Sequence, residues 1–481
     1  MSHPNGRSRV GGSSSSPRRA RPALEGLEER LLLYATLGAN WVYGAKITYS
    51  FAPDGTSVGG TPSTLFQTMD SRISRADWQK AFQSAAATWQ AVAGINLVQV
   101  ADNGQAFGGS GNQQGDTRFG DIRIGAIPLD TATLGAAFAP PPINGGTLAG
   151  DIVLNSTTPW TNVYYGARDL TTVAIHEFGH ALGMDHSQVY YADMYAYYVG
   201  QRQSLNSDDV AGIQSIYGAR PRDAFNSNGY SNQYWYQAMG LDPLRSNLNQ
   251  IRLPNLDISY PGQTEWFWVT VPSSNSGKLT VQMQSTGLSS LTPAISVYDV
   301  SLNLKGTVDG TAYGDTATIT VPGVSAGQAY FIRLSSSSGG WTGAYGMQVN
   351  FGNYAMTPFP PPYTVVASQV GGPGGFIPMT ADVGAEPDED LIRIGDLAGN
   401  GDALTVAAFG DRTASWSAFA APSPTPGAPW SMANAQNASA GWWGGSWISV
   451  NALDDALSSW GRDGDDAFPT FGKQSKVQRR A

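Results

Sequence analysis

Three of the four histidines in the chain lie between residues 176 and 186, in the pattern H-E-x-x-H-x-x-G-x-x-H. Side chains four residues apart on a helix share one face, so His176 and His180 can bind one metal ion from a single helix. Glycine readily adopts a left-handed backbone, so Gly183 can end that helix and bring His186 back as a third ligand. The motif therefore predicts a helix, a tight turn and a three-histidine metal site.

This spacing is typical of zinc-dependent peptidases. Three protein ligands leave the fourth position of a tetrahedral zinc ion open to water, and zinc with neutral imidazole ligands lowers the pKa of that water toward neutrality. Glu177 is the candidate general base, which takes the proton from the water and returns it to the leaving amine. One alternative is an amphipathic helix with packed or exposed histidines. Another is a site that binds metal without turnover, although Glu177 and all three ligands are present.

Composition restricts the chemistry further. The chain has no cysteine, so disulfides, thiolate zinc ligands and catalytic cysteines are excluded. Its 28 basic and 37 acidic side chains give a net charge of -9, which argues against a nucleic-acid partner. A length of 481 residues predicts two or three folded units. The 58 glycines and 29 prolines favour strands and loops over long helices.

Residues 41–218 predict one α+β unit, with a twisted mixed β-sheet and three helices. Residues 47–51 alternate apolar and polar side chains, as a half-buried strand does, whereas residues 78–92 carry apolar side chains at helical spacing. We expect the helix of the metal site to begin after Asp169, which can cap it, and the last helix to cover residues 207–217.

The two ends of the chain differ in composition from this unit. Residues 1–40 contain a basic, Ser-rich stretch and an apolar run at 31–39 that is too short to cross a bilayer, so no transmembrane span is expected. We predict an export leader there, with a disordered segment as the alternative. Residues 353–481 are rich in Pro, Gly and Ala, which predicts a disordered low-complexity tail.

Residues 219–352 show short alternating runs separated by Gly, Ser and Pro, which predicts an all-β sandwich domain. The rhythm of aromatic strands and glycine turns resembles the bacterial pre-peptidase C-terminal domain, a β-sandwich appended to secreted peptidases. We expect Trp266 and Trp268 to lie in its core rather than to bind a ligand. The expected strands are residues 265–271, 278–283, 294–298, 329–334 and 345–349.

The region around the histidine motif resembles the matrixin (matrix metalloproteinase-like) family of metzincin zinc peptidases. Met194 follows His186 by eight residues, in a segment similar to the matrixin Met-turn A-L-M-Y-P-x-Y, and Ser187 directly follows the third histidine. Residues 134–140 are similar to the matrixin edge strand L-A-H-A-F. The resemblance covers about residues 41–218 and implies a zinc-dependent endopeptidase.

The sequence also departs from this family. Vertebrate matrixins hold a second, structural zinc through histidines, but Ala136 and Val153 occupy two of those ligand positions, and the one remaining histidine is His3. The prodomain cysteine that caps the zinc in those enzymes is absent as well. Any latency must therefore depend on another part of the chain.

The resemblance implies a role for each part of a substrate cleft. Met194 packs beneath the metal ligands, and the strand Leu134, Gly135, Ala136 and Ala137, if its edge is exposed, pairs with an extended peptide. Tyr195, Ala196 and Tyr198 belong to the outer wall of the primary side-chain pocket, and Thr172 lies at its base. Because Thr172 is small, we expect a preference for medium or large apolar side chains just after the cleaved bond.

The expected partners are protein or peptide substrates, met outside the cell or at its surface. Calcium is an additional candidate cofactor, through the loop residues Asp116, Asp121, Asp130 and Asp151, although solvated surface acids are the alternative. A function of a different class is a surface adhesion or polysaccharide-binding protein, in which the β-sandwich acts and a latent peptidase domain processes only itself.

Overall fold

The computed structural model describes residues 34–162, 168–227, 229–337, 341–361, 376–380, 404–408 and 412–416. The first unit contains helices and strands in mixed order around one apolar core. Its elements are β1 (Ile47–Phe51), β2 (Ser57–Val58), β3 (Thr61–Pro62), α1 (Leu65–Asp70), α2 (Arg75–Gln90), β4 (Leu97–Gln99), β5 (Ile122–Ile127), β6 (Thr133–Phe138), β7 (Ile152–Asn155), β8 (Trp160–Thr161), β9 (Arg168–Asp169), α3 (Leu170–Ala181) and α4 (Ser207–Tyr217).

The main sheet of this unit is mixed, as expected. Strands β4, β1, β5 and β7 are parallel neighbours in that order, and β6 joins β7 antiparallel. Helix α2 begins at its cap Ser74, whose side chain accepts a hydrogen bond from the Asp77 N–H, and it buries Trp78, Phe82 and Trp89. Helix α3 packs against α2 and β6, so the helix of the histidine motif is enclosed by protein.

The described part of this unit has one helix more than the three predicted. The additional helix, α1, is short, and the Asp54 carboxylate accepts hydrogen bonds from the N–H groups of Phe66 and Gln67 at its start. The other three helices are confirmed, and α4 has the predicted bounds. Its cap Asn206 and Asp209 form a reciprocal capping box.

The folded unit also starts earlier than residue 41. The Leu37 N–H donates to the Gly183 carbonyl at 2.9 Å, and the Asp185 N–H donates to the Ala35 carbonyl at 3.0 Å. Ala39 is buried. Residues 34–40, assigned from composition to the leader, therefore pack on the turn after α3, and the predicted leader up to residue 33 lies outside the described residues.

The second unit consists of two sheets around a separate apolar core. One has the order β10-β12-β17-β14-β15 and the other the order β11-β18-β13-β16. Strand β12 alternates, with Phe267 and Val269 buried and Trp266 and Trp268 half-buried, so the expectation that these tryptophans lie in the core is wrong. The strands are β10 (Met239–Gly240), β11 (Gln250–Ile258), β12 (Thr264–Thr270), β13 (Lys278–Gln284), β14 (Pro293–Asp299), β15 (Leu304–Asp309), β16 (Thr316–Pro322), β17 (Ala329–Ser336) and β18 (Gly343–Asn350).

Arg220 connects the two units. Its guanidinium forms an ion pair with Asp257 of β11 and donates to the carbonyls of Gln90 and Ile95, at 2.9 and 2.8 Å. A planar guanidinium with several donors is suited to such a junction.

In the region predicted as a disordered tail, the structure describes three further strands: β19 (Phe376–Thr380), β20 (Leu404–Ala408) and β21 (Arg412–Trp416). The first pairs antiparallel with β6 and so belongs to the sheet of the first unit, and the other two pair with each other. At these positions the prediction of disorder is therefore wrong. Within the described residues, no helix combines the length and the apolar character needed to cross a membrane.

The turn after α3 generates a stability prediction. Gly183 has φ of +104°, and a Cβ there would lie 2.1 Å from the Ala39 carbonyl oxygen, whereas Gly200 has φ of +117° with nothing within 4 Å. Gly200→Ala should lower the free energy of unfolding by about 1 kcal/mol through backbone strain alone. Gly183→Ala should lower the free energy of unfolding by about 2 kcal/mol more than Gly200→Ala does, because residues 34–40 must also move. Urea unfolding of both variants measures this, and equal losses would contradict it.

Candidate metal centre

Helix α3 brings the first two histidines of the motif together. The helix is capped by Asp169, whose carboxylate accepts a hydrogen bond from the Thr172 N–H at 2.9 Å, and every residue of the helix is buried. Gly183 then reverses the chain, and the Met184 N–H donates to the Gly179 carbonyl at 2.9 Å. The sequence prediction of a capped helix followed by a glycine turn is confirmed.

The three imidazoles converge on one point. The Nε2 atom of His180 lies 3.0 Å from that of His176 and 3.2 Å from that of His186. The Nδ1 atoms of His176 and His180 lie 2.7 Å from the Asp193 carbonyl and 2.9 Å from the Met184 carbonyl, so these nitrogens carry the protons. The Nε2 atoms of these two rings are therefore unprotonated, and their lone pairs face each other.

This arrangement fits a zinc ion. Nitrogen ligands placed about 2.0–2.1 Å from a tetrahedral zinc ion lie roughly 3.4 Å apart, close to the two separations observed. Facing lone pairs repel each other unless a cation lies between them. In the part of the chain that the structure describes, these three histidines are the one cluster of metal-ligating side chains.

Burial keeps the ligands neutral. Burial, followed by the effect of His186, lowers the pKa of His176 to about 3, and burial lowers the pKa of His186 to about 4. Burial and the two neighbouring rings hold the pKa of His180 well below its usual value. Neutral imidazole is the form that binds a metal, so the site needs no deprotonation step near neutral pH.

Glu177 lies beside the triad and is fully buried. Both of its carboxylate oxygens lack a hydrogen-bond partner among the described residues, and burial raises the pKa of its carboxyl well above the usual value. A Cβ added to Gly135 of β6 would lie 2.8 Å from the Glu177 Oε1 atom. The carboxyl therefore faces the backbone of β6 and is available for proton transfer there.

Met194 packs against helix α3 beside Gly179. It is fully buried, and a Cβ on Gly179 would lie 2.2 Å from its Sδ atom. Gly179, between the first two histidines in sequence, thus leaves room for the methionine against the helix. The structure brings Met194 and α3 into direct contact.

Asp209 supports this region, a role that the sequence analysis did not identify. Its carboxylate accepts hydrogen bonds from the N–H groups of Asp193 and Met194, at 2.8 and 3.1 Å, and from the Asn206 N–H at 2.9 Å. The Asp193 carbonyl in turn binds the His176 ring. The sequence places Asp209 in the first turn of the predicted last helix, and no local signal identifies its contacts with residues 193 and 194.

The residues predicted to line a substrate cleft stay a prediction, and the structure gives their surroundings. Leu134, Ala136 and Ala137 of β6 are buried, and Ala196 and Tyr198 form backbone hydrogen bonds with Thr380. The Thr172 hydroxyl donates to the Asp169 carboxylate at 2.6 Å and contacts the Arg202 carbonyl at 2.8 Å.

Pairing of β6 with a substrate was expected only if its edge is exposed, and in the structure this edge is covered. Strand β19 pairs with that edge, with Ile377 opposite Ala137 and Met379 opposite Gly135. No local signal in the tail sequence indicates that it pairs with β6.

The four acids considered for calcium do not form a common site. Asp116 forms an ion pair with Arg118 at 2.7 Å, and Asp121 and Asp130 accept hydrogen bonds from backbone N–H groups. Asp151 is buried and accepts from the Arg123 N–H at 2.9 Å. Each carboxylate therefore has a structural partner of its own.

Comparison with known proteins agrees with this geometry. The matrixin family model matches residues 63–218. Karilysin from Tannerella forsythia is 35% identical over 150 residues, which are 31% of this chain and 30% of that protein. A hatching enzyme from Paracentrotus lividus is 31% identical over 198 residues, 39% of this chain and 28% of that protein. Matrilysin from Rattus norvegicus is 43% identical over 91 residues, 18% of this chain and 33% of that protein. The chain thus spans about a third or less of the length of these relatives.

Asp209→Asn should weaken zinc binding by about tenfold. The amide NH2 group would face backbone N–H groups that now donate hydrogen bonds to the carboxylate. The Asp193 carbonyl would then shift away from the His176 ring. Competition with a fluorescent zinc chelator measures the affinity. Asp54→Asn is the matched control, since Asp54 also accepts hydrogen bonds at a helix start but far from the motif in sequence. The same affinity for Asp209→Asn and wild type would contradict the supporting role.

Proposed function

Because residues 63–218 are a matrixin-like metzincin domain with a histidine triad for one catalytic zinc ion, we propose that this chain is a secreted zinc metalloendopeptidase. The observation that supports this most strongly is the convergence of three neutral imidazoles beside a buried, unpaired carboxyl. Two alternatives for the motif are a packed helix and a metal site without turnover. Neither explains why the carboxyl is buried without a hydrogen-bond partner.

Each residue of the site has a separate role in the proposed reaction. When bound, zinc supplies a Lewis acid that polarises a carbonyl and makes water a stronger nucleophile. His176, His180 and His186 hold it, with two ring orientations fixed by backbone carbonyls. Glu177 accepts the proton of the attacking water and delivers it to the leaving amine, and burial, which raises the pKa of its carboxyl, makes it a stronger base for the first step.

The cleft aligns an extended peptide with these groups. The edge of β6 offers backbone hydrogen bonds on one side, and the backbone of Ala196 and Tyr198, in the predicted wall that also contains Tyr195, offers them on the other. Folded proteins do not present such extended segments, so the substrates are unfolded or flexible protein segments. The apolar environment below the wall favours a medium or large apolar side chain just after the cleaved bond.

Removal of the general base tests the proposal. Glu177→Ala should lower hydrolysis of denatured casein by at least about 10²-fold while the protein still binds one zinc ion, because Glu177 is not a ligand. Glu177→Gln keeps the side-chain volume and should lose activity equally. Activity retained in both variants would exclude Glu177 as the base, and no hydrolysis by zinc-loaded wild type would exclude the peptidase function. Sequencing of the casein fragments also tests the predicted specificity. Charged residues just after the cleaved bonds would contradict the preference for apolar side chains.

A second candidate function concerns the second unit, which we propose to be a β-sandwich of the pre-peptidase C-terminal type that binds polysaccharide. Tyr234, Trp235 and Tyr236 are exposed by 55%, 47% and 66%, and the rings of Tyr234 and Tyr236 are parallel at 5.4 Å. Exposed aromatic clusters of this kind mark binding surfaces.

Cosedimentation of the full chain with insoluble cell-wall polysaccharide tests this second function. Tyr236→Ala should weaken binding by about tenfold, whereas Tyr191→Ala, an exposed tyrosine of the first unit, should have no effect. If wild type remains in the supernatant, the second unit does not bind the polysaccharide.

A further inference from the structure

Strand β19 occupies the cleft between β6 and the wall. It pairs antiparallel with β6 along one side, from Phe376 opposite Phe138 to Thr380 opposite Thr133. On the other side the Thr380 N–H donates to the Ala196 carbonyl at 3.0 Å, and the Tyr198 N–H donates to the Thr380 carbonyl at 2.9 Å. A five-residue segment of the chain itself is therefore held on both sides by the surfaces proposed to bind substrate.

The side chains of β19 alternate between the interior and the solvent. Met379 is 2% exposed and belongs to the same apolar cluster as Leu134, Val173 and Tyr198, whereas Pro378 is exposed. An unbranched, medium-sized apolar side chain thus lies inside the unit, next to the wall. This is the kind of side chain that the proposed specificity requires just after the cleaved bond.

The register indicates which bond of β19 faces the reacting groups. Met379 lies opposite Gly135, the glycine whose backbone is next to the Glu177 carboxyl. Of the two peptide bonds of Met379, the following one has its nitrogen committed to the Ala196 carbonyl. The preceding bond, Pro378–Met379, belongs to the residue that pairs with β6 at Gly135, next to the Glu177 carboxyl.

We propose that β19 is a substrate of its own chain and is hydrolysed in cis between Pro378 and Met379. This inference rests on the proposed peptidase function. Water adds across the bond: its oxygen forms the new carboxylate of Pro378, the carbon–nitrogen bond breaks, and the Met379 nitrogen leaves as an amine with a proton delivered by Glu177. The products are residues 1–378 or a shorter piece of them, and a fragment that begins at Met379. Until the bond is cut, the segment excludes other substrates from the cleft.

The first experiment follows cleavage of the zinc-free full chain after addition of one equivalent of Zn²⁺. Intact-mass measurement should show a new C-terminus at Pro378 and a new N-terminus at Met379, with a half-time that does not change with protein concentration. Met379→Asp should slow this cleavage at least about tenfold, because a carboxylate would replace a buried apolar side chain. Met356→Asp, a half-buried tail methionine outside β19, is the matched control and should cleave at the wild-type rate.

The outcomes separate this inference from the peptidase function. Casein hydrolysis without a cut at Pro378–Met379 would overturn the inference and leave the peptidase function intact, as would a cut at another bond of the tail. A half-time that shortens in proportion to concentration would show cleavage between molecules and contradict cleavage in cis. If neither casein nor the chain is cut, both proposals fail.

A second measurement does not depend on activity. In the Glu177→Ala background, hydrogen exchange at residues 134–138 should be slow, because β19 covers this edge. Adding Met379→Asp should release β19 and speed exchange at these positions, while Met356→Asp should leave it unchanged. Equal protection in all three proteins would show that β19 does not hold the cleft in solution.

Discussion

The reversal of the chain at Gly183 is the constraint on which the metal centre depends. Two histidines come from one helix, but the third must approach from outside it, so the helix has to end and turn back within a few residues. The positive φ of Gly183 makes this turn, and the Met184 carbonyl that follows it contacts the His180 ring. The turn is held from outside by residues 34–40, so a segment distant in sequence fixes the geometry of the ligands.

A second set of contacts supports the site from below. The Asp209 carboxylate binds the backbone at Asp193 and Met194, the Asp193 carbonyl contacts the His176 ring, and Met194 packs against Gly179. One acid at the start of α4 thereby links a helix end, the Met-turn and a metal ligand. Such outer partners orient the ligands, and a shift in any of them changes the position of an imidazole.

The parts of the structure that local signals encode could be predicted from the sequence. Helices α3 and α4 begin at the caps Asp169 and Asn206, and the triad follows from residue spacing on α3 and its turn. Short helix α1 was missed because the carboxylate that accepts hydrogen bonds from its first turn, Asp54, lies more than ten residues before it. Strand β19 was missed for a related reason: a sheet edge accepts almost any extended segment, so nothing in its five residues indicates pairing with β6.

Strand β19 occupies the surfaces proposed to bind substrate, so it competes with other substrates for them. A segment of the same chain meets its site at an effective concentration rather than at its bulk concentration, so it competes well against dilute protein substrates. Hydrolysis removes this advantage, because the fragment that begins at Met379 is no longer attached to the domain. Under the proposed cleavage, β19 lies along β6 next to the Glu177 carboxyl until the reaction proposed for this site cuts it.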